Sequence, residues 1–175
     1  MKVTRRSLRA LCIAAIALTI SCGESTPTGV ASAPAPNGDL IGSLAGDLGL
    51  LRCSPLPAAS ATQTVGPSGG IIRVGPHTLV IPPGALSQTV TITAVAPSGS
   101  VNAVRFTPQG LTFQTPASLT MSYANCNLVS RLLPKKIAYT TDDLRILELL
   151  PSLDLFSFDK VTAPLRHFSQ YAVAW

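Results

Sequence analysis

Residues Gly66 to Tyr123 read GPSGGIIRVGPHTLVIPPGALSQTVTITAVAPSGSVNAVRFTPQGLTFQTPASLTMSY. Short apolar runs alternate with Gly-Pro and Pro-Gly turns along the whole stretch. The period is clearest at Thr89-Val90-Thr91-Ile92-Thr93-Ala94, where threonines take one face and apolar residues the other. Leu119, Met121 and Tyr123 alternate with Ser118, Thr120 and Ser122 in the same way. A period of two belongs to a half-buried strand. Gly66-Pro67, Gly69-Gly70, Gly75-Pro76, Pro97-Ser98-Gly99 and Gly110 supply the turns between strands.

Extended outward, this pattern predicts strands at Ala61–Val65, Ile71–Val74, Thr78–Ile81, Thr89–Val95, Val104–Phe106 and Ala117–Tyr123. It continues with Ile137–Thr141, Arg145–Leu149, Lys160–Ala163 and Tyr171–Ala174. Many short strands at near-regular spacing, with no alternation of strand and helix, predict an all-β antiparallel β-sandwich. The one helical competitor is Asp142–Leu153, where Leu144, Leu147 and Leu150 could share a face. We read it as a hairpin turning at Asp142-Asp143. Proline cannot donate to a ladder, so Pro82-Pro83 are expected to end a strand at a sheet edge, with Gly84 supplying the turn.

The run Thr78-Leu79-Val80-Ile81-Pro82-Pro83-Gly84-Ala85-Leu86 resembles the signature of ZU5 domains. Phe106-Thr107-Pro108-Gln109-Gly110-Leu111-Thr112-Phe113 and Pro116-Ala117-Ser118-Leu119-Thr120 are similar to the Pro-x-Gly-Leu turn and Pro-led strand of the same family. The resemblance covers Gly66 to Tyr123 well and reaches Trp175 more loosely. It implies a ZU5-like sandwich that serves protein–protein contact, although a fold does not carry a partner with it.

Residues 1–22 have the form of a secretory signal. Lys2, Arg5, Arg6 and Arg9 precede an apolar stretch, Ala10 to Ile20, interrupted only by Thr19. As a helix that stretch spans about 16 Å, too short for a hydrocarbon core of ~30 Å. Thr19-Ile20-Ser21-Cys22-Gly23 resembles a bacterial lipobox, which implies lipidation of Cys22; Thr19 departs from the leucine usual three places before the cysteine. Ala31-Ser32-Ala33 offers an ordinary cleavage site instead. Residues 23–52 hold a Ser/Thr/Pro/Ala/Gly-rich tether and then a short apolar segment, and the sandwich domain is placed at 53–175. In that segment Leu40, Ile41, Leu44, Leu48 and Leu51 fall on one helical face, against Gly42, Gly46 and Gly49. It either packs on the domain or rests on a lipid surface.

The formal net charge of +5 is concentrated in the leader. Four of the 13 basic residues lie in the first ten positions, which leaves nine against eight acidic residues and a net charge near +1. Nothing there argues for nucleic acid as a partner. The one basic pair beyond the leader, Lys135-Lys136, reads as a solvated strand start. Cys12 leaves with the leader. Cys53 and Cys126 are then an even pair in an exported domain, where a disulfide is expected. Two cysteines and the distant His77 and His167 lack metal-ligand spacing, and no cofactor is expected.

The residues spell out no enzyme. His167-Phe168-Ser169 resembles the sequence at which some ZU5-containing domains cut themselves. That implies attack by the Ser169 hydroxyl on the Phe168 carbonyl, with His167 as base. The plainer reading makes Phe168 a core plug, Ser169 a turn and His167 a surface residue. His77 sits in a Gly-Pro turn, and the chain has no Gly-x-Ser-x-Gly elbow. Tyr123, Tyr139, Tyr171 and Trp175 fall within strands, so a carbohydrate-binding surface has no feature in its favour. The expected protein is a non-catalytic lipoprotein of a bacterial cell envelope, at the outer membrane or periplasmic face. It would be held to the membrane by its N-terminal lipid and would bind a protein partner.

Overall fold

The computed structural model describes residues 49–127 and 133–175. The expected signal helix, Cys22, the tether and most of the apolar segment lie outside the described residues. The strands are β1 (Ala59–Val65), β2 (Gly70–Val74), β3 (His77–Ile81), β4 (Val90–Ala96), β5 (Ala103–Thr107), β6 (Thr112–Ser122), β7 (Lys136–Thr140), β8 (Ile146–Leu149), β9 (Leu153–Leu155), β10 (Lys160–His167) and β11 (Gln170–Ala174). They form two antiparallel sheets, ordered β1-β4-β5-β11-β7-β8 and β2-β3-β6-β10-β9, so the fold is a β-sandwich.

The core follows from the alternation. Ile72, Leu79, Ile81, Leu119, Met121, Val161 and Leu165 of the second sheet share one buried cluster with Ile92, Phe106, Ile137, Tyr171 and Val173 of the first. Fully burying each large apolar side chain contributes roughly 1.5–3 kcal/mol. The threonines of β4 face outward and pair with those of β1: Thr62 with Thr93 at 2.9 Å and Thr64 with Thr91 at 3.1 Å.

The expected hairpin at Asp142-Asp143 forms. β7 pairs with β8, and Leu144 closes the turn at φ 63° with its N–H on the Thr141 carbonyl at 3.0 Å. Other expectations need correction. β3 lies between β2 and β6, so Pro82-Pro83 end an interior strand, not one at an edge. β6 begins at Thr112 rather than Ala117. Its Pro116 is tolerated because the register against β10 shifts between Leu165 and His167, so no ladder bond is required of it. β10 runs past Pro164 to His167. β9 reaches only as far as Thr162, so the missing N–H of Pro164 meets no strand on that side. β9 itself, three residues long, is too short to show a period.

The chain joins the sandwich before Cys53. Leu50 bridges to Ala174 and Arg52 to Val101, while the Leu51 N–H donates to the Val173 carbonyl at 2.9 Å. Leu50 and Leu51 are both buried, so this end of the apolar segment is extended and buries both faces, not one helical face. Cys53 and Cys126 form the expected disulfide, with Cα atoms 3.9 Å apart. That is closer than the 4.4–6.8 Å usual of disulfides, and the two cysteines face each other as an antiparallel bridge pair.

Candidate functional site

His167-Phe168-Ser169 forms the corner between β10 and β11. Phe168 is buried, stacked on Phe106 and edge-on to Phe113, with both centroid distances 5.0 Å. Its N–H donates to the Leu111 carbonyl at 2.8 Å, and its carbonyl accepts from the Gly110 N–H at 2.9 Å. The Ser169 carbonyl accepts from the Phe106 N–H at 3.0 Å. Neither Phe168 nor Ser169 has the positive φ that would mark a strained backbone.

The His167 ring lies elsewhere. It stands edge-on to Tyr139 at 5.1 Å and puts Nδ1 3.5 Å from the Tyr171 hydroxyl. That hydroxyl donates to the His167 carbonyl at 2.6 Å. Burial above all, then neighbouring Tyr139 and Glu148, pushes the Tyr171 hydroxyl far above its ordinary value, so it remains a donor. The corner therefore brings a hydrogen-bond donor to the Phe168 carbonyl and places the His167 ring among tyrosines. No hydrogen bond links His167 to the Ser169 hydroxyl. Beside it opens a cleft of about 280 Å³, lined among others by Glu148, Arg166, His167 and Tyr171.

His77 is the first residue of β3 and is buried, a correction to its expected place in a turn. Its Nδ1 accepts the Ser122 N–H at 3.2 Å. Burial lowers its pKa from 6.5 to about 4. Between those values the unfolded chain takes up a proton that the folded chain refuses. Stability is therefore full above pH 6.5, falls as the pH drops toward 4 and levels off below it. We expect a loss of about 3 kcal/mol across that window. Denaturant titrations at pH 7 and pH 4 on wild type and His77→Gln check it; an unchanged pH slope in the variant counts against His77 as the cause.

Lys135 also departs from expectation. Its side chain is fully buried rather than solvated. The ammonium lies 5.6 Å above the Tyr123 ring and donates to the Leu133 carbonyl. Burial lowers its pKa, an effect that the Asp154 carboxylate opposes. Asp154 accepts from the Tyr123 hydroxyl at 2.6 Å and from the Lys135 N–H at 2.8 Å. This cluster had no sequence signal, since Asp154 lies in the strand too short to predict. The disulfide is backed by buried Asn102, whose Nδ2 donates to the Ser122 carbonyl at 2.9 Å and to Asn125 Oδ1 at 2.7 Å.

No group of three or more His, Cys, Asp or Glu side chains among the described residues could hold a metal ion. No protein-family model matches the chain, and the comparison with curated proteins finds no match either.

Proposed function

We propose that this chain is a lipid-anchored protein of a bacterial cell envelope whose ZU5-like β-sandwich acts as a non-catalytic protein-binding or scaffolding module. The observation that carries the reading is the fastened entry, Gly49 to Cys53. It is paired to β11 and Val101 and bridged to Cys126. Such a bridge persists in an oxidising compartment, which fits export. A pinned entry also gives a tether from Cys22 a fixed point of attachment on the sandwich. The engagement of His167 with Tyr139 and Tyr171, away from the Ser169 hydroxyl, supports reading the His-Phe-Ser corner as architecture.

The intact mass of the protein purified from a membrane fraction tests both parts. The expected result is one species that begins at an acylated Cys22 and ends at Trp175, with the acyl mass and palmitate-analogue labelling lost in Cys22→Ala. Persistent labelling of that variant removes the anchor. A species shorter by Ser169–Trp175, absent in Ser169→Ala, overturns the non-catalytic reading and makes Ser169 the nucleophile. Crosslinking in intact cells then identifies the protein partner; binding to a glycan array instead points to a carbohydrate module.

A further inference from the structure

The end of the sandwich at which the chain enters carries an unusual turn. Between β9 and β10, Phe156-Ser157-Phe158 form a single 3-10 turn that buries none of its residues. Phe156 is 58% exposed, Phe158 72% and Leu153, on the adjoining strand, 61%. Leu133, next to Lys135, is exposed as well. Protruding phenylalanines on a tight turn contribute nothing to the core and leave apolar area in water, so they mark an interaction surface.

Its place in the fold says what covers it. A short chain of bonds joins the turn to the entry. Cys53 is bridged to Cys126, the Cys126 N–H donates to the Tyr123 carbonyl, the Tyr123 N–H to the Asp159 carbonyl, and the Asp159 N–H to the Phe156 carbonyl. The turn and the attachment point of the tether thus share one end of the sandwich. Exposed Arg52, Lys136 and Lys160 lie at the same end, where Arg52 bridges to Val101, Lys136 pairs with Ala174 and Lys160 pairs with Ser122, with Asp159 between Phe158 and Lys160 in the chain. The carboxylate of Asp154 there is occupied by the Tyr123 hydroxyl and the Lys135 N–H. Cations beside exposed aromatic rings suit a lipid interface with anionic headgroups.

We propose that the Phe156–Phe158 turn, with Leu153, docks into the surface of the membrane that holds the lipid anchor. The inference rests on the anchored reading for its strength. Twenty-six residues, 23–48, separate Cys22 from Gly49, so an anchor at Cys22 holds the entry end near the bilayer. An anchor that close supplies a high effective concentration, so a turn with weak affinity of its own still binds. Docking there presents the far end of the sandwich, with the Pro108-Gln109-Gly110 turn, to partners.

The mature acylated protein has no free thiol if Cys22 is lipidated and Cys53 is bridged to Cys126, so Ser157→Cys offers a single labelling site; Gln109→Cys is the control. Each variant is labelled with a nitroxide and placed in vesicles of zwitterionic lipid with one quarter anionic lipid. The label at 157 is expected to collide with lipid-soluble oxygen and to be shielded from an aqueous nickel complex, whereas the label at 109 is open to nickel. Adding Phe156→Ser and Phe158→Ser is expected to return position 157 to water, and these exposed residues can change without disturbing the core. Equal nickel access at 157 and 109 overturns the proposal. So does shielding of 157 that appears only when envelope proteins are present, because the turn then belongs to a protein interface. A second reactive thiol, counted before labelling, reports an unacylated Cys22 and a failure of the anchor alone; docking is then read with the same label on vesicles added to the unanchored protein.

Discussion

Replacing Cys53 and Cys126 together by alanine is expected to lower folding stability by about 4 kcal/mol. The bridge spans a sequence separation of 73 residues and closes a loop that contains β1 through β6. Without it the unfolded chain regains the freedom of that loop, and the loss grows only slowly with loop length. Substituting both partners avoids leaving an unpaired thiol beside the buried Asn102. The paired variant should melt about 15 °C lower, with a steeper denaturant slope, because the unbridged denatured chain is more expanded and exposes more surface. A loss below about 1 kcal/mol would show that pairing of Leu50 and Leu51 with β11 holds the entry without the bridge. Hydrogen exchange at the Leu51 amide, bonded to Val173, separates local release of the entry from global destabilisation.

The architecture was legible because its main signal is local. Alternation in β4 and in the C-terminal half of β6 gave both the strands and their buried faces. Gly-Pro turns marked their ends, and the hairpin at Asp142-Asp143 was read against a helix whose start the same two aspartates would suit. The pairing of Cys53 with Cys126 was legible by elimination. What failed was non-local. That β3 is interior depends on β2 and β6 arriving on its two sides, which the prolines after Ile81 do not encode. The expected strands stopped short of Pro116 and Pro164, yet both prolines lie within strands, where the fold asks for no N–H. Lys135 looked solvated because its partner Tyr123 is far away in sequence, and Asp154, whose side chain caps the Lys135 N–H, lies in a strand too short to show a period. The burial of His77 was hidden in the same way: a Gly-Pro turn precedes it, and only the Ser122 N–H, 45 residues on, gives the ring its place.

The corner at Phe168 is the place where sequence suggested chemistry and the structure supplies a packing role, so its substitutions carry the most information. Phe168→Ala is expected to cost 3–5 kcal/mol, the usual range for emptying a buried phenylalanine site. The ring is almost fully buried and lies between Phe106 and Phe113, so its removal opens a cavity and ends both ring contacts. The backbone cannot easily move in to fill the space, because the Phe168 N–H and carbonyl are tied to Leu111 and Gly110. A loss of that size is a large part of the stability of an ordinary domain, so the alanine variant can fail to fold. Phe168→Leu keeps most of the volume and should cost under about 2 kcal/mol. Ser169→Ala removes a half-buried hydroxyl that makes no hydrogen bond among the described residues, and should stay within ~0.5 kcal/mol. Denaturant unfolding of the three variants gives the order. Alanine at 168 far below leucine at 168, with alanine at 169 close to wild type, fits a plug held by its neighbours. A Ser169→Ala variant more stable than wild type by a kilocalorie or more would reveal strain at the Phe168–Ser169 bond that the removal of the hydroxyl relieves, and the corner would then be poised for cleavage rather than packed.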